Sequence, residues 1–163
     1  MNPLKLVIFD LDDTLCDTSG QIQSASQSLG HVQLFAGVPE LLADLRAKGL
    51  HTAIVSTGDP LVQEEKIAFL GLRALVDAVL ICAQPEEKLT LFQRCLRDFG
   101  ARPEETLVVG DRIDREISFG KQLGCVTAWA LQGRHSRRLP SGEGERADFV
   151  LHNISELRER LTH

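Results

Sequence analysis

A chain of 163 residues, 43% hydrophobic and 25% charged, suffices for one globular domain with a sizeable core, and two full domains are not expected. Its net charge of -5 argues against a general nucleic-acid-binding surface, and no stretch approaches the roughly 20 apolar residues of a membrane span. Cys16, Cys82, Cys95 and Cys125 are scattered without a Cys-x-x-Cys pair and no long apolar run precedes Asp10, so reduced thiols, no zinc site, no secretory leader and a cytoplasmic location are expected.

Residues 4–9 read as a first strand, after which Asp10-Leu11-Asp12-Asp13-Thr14 concentrates three carboxylates and a hydroxyl. Such a cluster needs a counter-charge. A divalent cation such as Mg²⁺, which prefers carboxylate and carbonyl oxygen, would supply it and leave one carboxylate available as a nucleophile. Taken alone, the same residues also fit a solvated loop with an Asx turn and a helix cap.

Residues 21–29, rich in Ser and Gln, are weakly helical at best. Val38, Leu41, Leu42 and Leu45 recur at helical spacing, with Pro39 suited to a first turn and Gly49 to the stop. A second strand over 51–55 ends in Ser56-Thr57-Gly58-Asp59-Pro60, which leads into a helix through about residue 70. Residues 76–82 form a third apolar run, and Gln84-Pro85-Glu86-Glu87 opens a helix containing Leu89, Phe92, Leu96 and Phe99. A fourth strand at 106–109 turns at Gly110-Asp111 into a helix that Gly124 stops, and 126–131 is a fifth strand. A surface loop at 132–146, a short last strand at 147–151 and a helix at 154–161 complete the chain.

Strands separated by helices at this spacing imply βαβ crossovers, hence a mainly parallel sheet covered on both faces, with ligands at the carboxyl ends of the strands. Those ends offer Asp10, Asp12 and Thr14; Ser56 and Thr57; Lys88, after the third strand; and Gly110, Asp111, Asp114 and Glu116. Each has a purely structural alternative. Ser56 could cap the helix beginning near Asp59, and Lys88 could be a solvated helix lysine. Lys66 and Lys121 could compete with Lys88, but both lie deeper inside helical segments, away from the expected strand end. The run Arg134-His135-Ser136-Arg137-Arg138 could contact an anionic substrate, yet such runs are more often solvated, and it is left outside the site. The five histidines show no metal-ligand spacing.

Val7-Ile8-Phe9-Asp10-Leu11-Asp12-Asp13-Thr14-Leu15, Ile54-Val55-Ser56-Thr57-Gly58, Lys88 and Val109-Gly110-Asp111-Arg112-Ile113-Asp114 together resemble the four motifs of the haloacid dehalogenase-like (HAD) superfamily phosphatases. The likeness continues through Gly120-Lys121-Gln122-Leu123-Gly124 and into Ala147-Asp148-Phe149-Val150-Leu151, covering nearly the whole chain. It implies a Rossmann-like three-layer α/β/α sandwich and phosphomonoester hydrolysis through an aspartyl-phosphate on Asp10, with Asp12 as general acid and base. Asp10, Asp111 and the backbone carbonyl of Asp12 would hold Mg²⁺, and Thr14, Ser56, Thr57 and Lys88 would serve the phosphate. The family places a second acid four or five residues after the metal-binding Asp, where only Glu116 qualifies. Asp114, one step earlier, has a complete explanation as a helix-start carboxylate.

Members commonly carry an inserted cap domain; here residues 16–37 form only a short insertion in its place, which resembles the capless branch without its Cys/His zinc loop. One domain over 1–163 is expected, with a phosphorylated small molecule as substrate, a phosphoprotein as a possibility, no nucleic acid or membrane, and a homo-oligomer as a possible cover for the open site. Two other functions fit the resemblance less well. A C-halogen hydrolase would not need Asp12, and a receiver-like phospho-acceptor would carry its Asp on the third strand, where Val79-Leu80-Ile81-Cys82 offers none.

Overall fold

The computed structural model describes residues 2–18, 32–133 and 138–161. Six strands form one sheet: β1 (Leu6–Phe9), β4 (His51–Thr57), β5 (Ala78–Cys82), β6 (Thr106–Gly110), β7 (Val126–Ala130) and β8 (Phe149–Leu151). Their order is β5-β4-β1-β6-β7-β8 and every pairing is parallel. A two-stranded antiparallel ribbon, β2 (Cys16–Asp17) with β3 (Gln33–Leu34), stands at the base of the expected insertion. The polar segment at 21–29 and most of the Arg134–Arg138 run lie outside the described residues.

The apolar run of β1 is buried on both sides because alternate residues enter different cores. Val7 and Phe9 pack with Val38, Leu41, Leu42 and Leu45 of α1 (Val38–Ala47), Ile67 of α2 (Pro60–Phe69) and Leu157 of α5 (Glu156–Arg160). Leu6 and Ile8 pack with Phe92 and Cys95 of α3 (Lys88–Asp98), and α4 (Ser118–Leu123) adds Phe119 and Leu123 to that side. A period-2 strand between two helical layers is the expected three-layer sandwich. Each such large side chain, fully buried, contributes about 1.5–3 kcal/mol relative to exposure, so the central strand is fixed in place by its own residues.

The helix starts follow local chemistry. Asp59 accepts hydrogen bonds from the amides of Leu61 and Val62 and so caps α2, with Pro60 in the first position; Ser56 is not the cap. The segment after Asp111 departs from the expected continuous helix: a π-helical turn, Ile113–Ile117, precedes α4, marked by the bond from Ile117 N to Arg112 O at 3.3 Å. On this turn Glu116 folds its carboxylate back to accept from the amide of Arg112 at 3.0 Å. Likewise the expected opening at 84–87 contains a separate 3₁₀ turn, Pro85–Glu87, before α3 begins at Lys88.

The chain runs outward from β1 to β4 and β5, then returns to the other side of β1 at β6 and continues outward to β8. The sheet therefore has its switch point between β1 and β6, where a crevice opens at the carboxyl ends. Phe9 pairs in register with Val109, and the Asp10 amide donates to Val109 O at 2.9 Å, which sets the two acidic strand ends side by side. Among the described residues no helix is long and apolar enough to cross a membrane, and no separate cap domain is present.

Candidate active site

Asp10 follows β1, Asp111 follows β6 and Glu116 sits on the π turn; all three are buried, with carboxylate oxygens within 4.8 Å of one another. Ionised carboxylates so close repel by about 4 kcal/mol per pair at 4 Å and an effective dielectric constant near 20. Lys88, at the first position of α3 and only 2% exposed, offsets part of this: its Nζ lies 2.6 Å from Asp10 Oδ1 and 2.6 Å from Glu116 Oε1. One ammonium thus faces three carboxylates.

The imbalance appears in the acidities. Burial, then the charges of Asp10 and Glu116, push the Asp111 carboxyl up to about 10, and no basic side chain pairs with it among the described residues. Burial and Asp10 also raise the Glu116 carboxyl, with Lys88 opposing. Burial works against the Lys88 ammonium, but Asp10 and Glu116 outweigh it and its pKa is raised. A buried set of oxygen ligands with surplus negative charge and no competing base at Asp111 fits a hard divalent cation.

Glycine at 110 makes the third carboxylate possible. A Cβ there would lie 2.4 Å from Glu116 Cγ and 2.5 Å from its Cβ, so any other residue would push Glu116 off the strand end. Trp129, on β7, donates from Nε1 to the backbone carbonyl of Asp111 at 2.9 Å and fixes the peptide that carries this ligand.

Above the carboxylates lies a cleft of about 170 Å³, bounded also by Asp12, Asp13, Thr57, Arg112 and Arg115. Lys88 and Thr57 border it, whereas Thr14 and Ser56 do not. Thr14 is fully buried behind Asp10 and donates from Oγ1 to Asp10 Oδ2 at 3.4 Å. Asp13, buried, has a left-handed φ of 61°, and its Oδ1 accepts from Thr18 Oγ1 at 2.9 Å, which orders the loop after the strand.

Asp12 stands apart from the three-carboxylate group and is gripped by α2. Lys66 Nζ lies 2.7 Å from its Oδ1, and Gln63 Nε2 lies 3.0 Å from its Oδ2, 2.6 Å from Ser56 Oγ and 3.3 Å from Thr57 O. The expectation that Lys66 lies away from the strand ends is therefore corrected: α2 leans its buried face over the end of β4, and Lys66 reaches across to the β1 loop. Lys121 instead faces Asp148 at 3.8 Å.

Glu116 and Asp114 also separate. Asp114 is held by Arg112, from Nε at 2.9 Å and Nη2 at 2.8 Å, and by Arg138 Nη1 at 3.4 Å. The hydrogen bonds from Arg112 hold its carboxyl below the usual range despite burial, and it does not join the buried carboxylate group.

Sequence reasoning passed over Gln63, Arg112 and Arg115 as site residues and set Lys66 aside. For α2 a signal existed: Gln63, Lys66 and Ile67 share the i, i+3, i+4 spacing of one buried face, so two polar residues occupy core-facing positions. Arg112 and Arg115 carry no such pattern.

Fold and site together define a doubly wound α/β protein whose acidic centre occupies the switch point of a parallel sheet. The chain belongs to the haloacid dehalogenase-like hydrolase family, whose profile matches residues 21–124, a span that takes in Lys88, Asp111 and Glu116 and begins after the Asp10 loop. It is 30% identical over 148 residues to a glyceraldehyde 3-phosphate phosphatase of Pyrococcus furiosus, covering 88% of this chain and 60% of that protein. To the protein of the same name from Methanocaldococcus jannaschii it is 27% identical over 143 residues, covering 86% and 61%. The chain thus spans about three fifths of the length of these curated relatives. Among solved structures, a D,D-heptose 1.7-bisphosphate phosphatase from B. bronchiseptica superposes with a TM-score of 0.78 at 18% identity, covering 98% of each chain. A HAD phosphatase from Thermococcus onnurineus gives 0.75 at 20%, covering 97% of this chain and 98% of that one; both likenesses concern the fold.

Proposed function

We propose that the chain is a Mg²⁺-dependent phosphomonoesterase acting on phosphorylated small molecules, with Asp10 as nucleophile and Asp12 as general acid and base. The observation that carries this reading is the placement of Asp10 on the cleft, one oxygen bonded to Lys88 and the other to Thr14, two residues before a carboxylate held separately by Lys66 and Gln63. The relatives named as glyceraldehyde 3-phosphate phosphatases, and a phosphoserine phosphatase of Thermus thermophilus 30% identical over 105 residues, support it.

Asp10 attacks phosphorus in line, a P–O bond forms to its carboxylate, and the ester P–O bond breaks while Asp12 gives a proton to the departing oxygen. Water then attacks the aspartyl-phosphate, Asp12 takes its proton, and phosphate and free Asp10 are released. Lys88 offsets negative charge on the nucleophile and the phosphoryl oxygens, and Thr57 donates from the cleft wall. Thr14 and Ser56 act one layer behind, through Asp10 and through Gln63. Magnesium, held by Asp10, Asp111 and the Asp12 carbonyl with Glu116 and its surroundings in support, would neutralise the phosphoryl oxygens when bound.

A carboxylate fixed by two α2 side chains for proton transfer has no task in a C-halogen hydrolase or a passive phospho-acceptor, which favours the phosphatase over both. Residues 16–37 are too few for a folded cap domain, which favours a site covered by a second copy of the chain rather than by a lid of its own, and a single HAD-like unit over 1–163 accounts for the site. Four unpaired buried cysteines favour a reducing compartment such as the cytoplasm. The test is turnover of a phosphorylated-metabolite panel with Mg²⁺ and with chelator, alongside Asp10→Asn. Mg²⁺-dependent phosphate release that the folded variant lacks is expected; release by the variant at the wild-type rate would overturn the assignment.

A further inference from the structure

Apart from Thr57, every side chain that bounds the cleft is charged. Whatever is attached to a bound phosphoryl group would meet no apolar wall there, so a polar leaving group is favoured. The cations of the site are unequally engaged. Lys88 is shared by Asp10 and Glu116, and Lys66 is committed to Asp12. Arg112 and Arg138 both rest on the single carboxylate of Asp114. Arg115 is different: it borders the cleft and is partly buried, and its guanidinium makes no hydrogen bond or ion pair with any described residue.

Beside the Arg112–Asp114 pair, Arg115 brings to this edge of the cleft a guanidinium that no described carboxylate offsets. A partly desolvated guanidinium without an anion forgoes the bidentate hydrogen bonds for which its planar fork is suited. Arg112 and Arg115 belong to the turn that also carries Asp111 and Glu116, with Arg115 N bonded to Arg112 O at 3.2 Å, so this positive edge adjoins the buried carboxylates by construction.

We propose that Arg115, beside Arg112 on the cleft wall, forms a subsite for a second anionic group on the substrate, which is therefore a small phosphomonoester that also carries a carboxylate or a further phosphate. The proposal rests on the phosphatase reading of the same cleft, and its test is one of binding. Calorimetry with Mg²⁺ present compares ethylphosphonate, which has no second anion, with phosphonoacetate and methylenediphosphonate, for wild type, Arg115→Ala and Arg115→Lys. Wild type is expected to bind at least one of the two doubly anionic probes roughly 10-fold or more tighter than ethylphosphonate, in line with a charge-assisted hydrogen bond. Arg115→Ala is expected to erase that preference to within about 2-fold and Arg115→Lys to restore part of it. Which probe gains tells carboxylate from phosphate, and comparison within one probe cancels its chelation of free Mg²⁺. Equal wild-type affinity for all three probes, or an equal loss for all three in Arg115→Ala, overturns the subsite. Selective binding without turnover of any phosphate ester would overturn the phosphatase reading while leaving the subsite standing.

Discussion

Lys66 Nζ lies 2.7 Å from Asp12 Oδ1, joining a helix and a strand-end loop separated by 54 residues. With Gln63 on the other oxygen, the pair aims the carboxyl proposed above as the general acid. Lys66→Met is expected to lower kcat on an alkyl phosphate roughly 10- to 100-fold, the scale for disturbing a positioned acid. On p-nitrophenyl phosphate, whose leaving group needs no proton, the loss should be several times smaller. Equal losses on the two substrates would mean that Lys66 supports the fold alone.

Among the described residues Lys88 is the one ammonium bonded to the buried carboxylates, and its removal is expected to act on stability as well as rate. For Lys88→Met, kcat should fall on the order of 10²-fold or more, and the ion-free protein should melt several degrees lower, because a buried pair broken on one side costs up to about 3–5 kcal/mol. Mg²⁺ should recover part of that melting loss. Thermal melts with and without the ion decide, and an ion-free variant as stable as wild type would contradict the charge balance drawn here.

The three acids of the β6 segment are expected to differ in metal affinity. Asp111→Asn should remove most Mg²⁺ binding, Glu116→Gln should weaken it roughly 10- to 100-fold, and Asp114→Asn should change it by less than about 3-fold. The last is tied to Arg112 and Arg138 rather than to the buried group. Calorimetric titration of the three variants provides the ranking; a large loss for Asp114→Asn alone would reverse it.

Acidity gives a fourth expectation with a definite sign. The Asp111 and Glu116 carboxyls are both raised in the ion-free fold, so above the ordinary carboxylate range the folded chain keeps protons that the unfolded chain has released. Stability of the ion-free protein should therefore fall as pH rises from about 5 through neutrality, with the Asp111 share fully lost only above its value of about 10. Mg²⁺ selects the ionised carboxylates, so its protection should grow with pH. Melting curves between about pH 5 and 9 in chelator and in Mg²⁺ test this, and Asp111→Asn should flatten the chelator series.

Much of this arrangement was written locally. The apolar runs of β1, β4 and β6, the helix stop at Gly124 and the acids just beyond the strands follow from period, punctuation and the abrupt change of polarity at Asp10 and Asp111. What escaped depends on tertiary approach. Lys66 occupies a core-facing position on α2, but only the packing of that helix against the sheet shows that the core there ends in Asp12. The π turn escaped because it goes with a side chain that returns to an amide over Gly110, a contact invisible to helical periodicity. Thr14 and Ser56 lie at the expected strand ends, yet side-chain direction puts both behind the cleft wall.

The indole bonded to the Asp111 carbonyl belongs to the only tryptophan of a chain that has no tyrosine. Emission excited at the red edge of protein absorbance therefore comes from a single chromophore seated against the peptide of a candidate metal ligand. An ion or anion arriving at the carboxylates is expected to change the field at that indole, so ligand titrations and stopped-flow records can be read from the native protein with no label attached, through a chromophore placed at this end of the sheet.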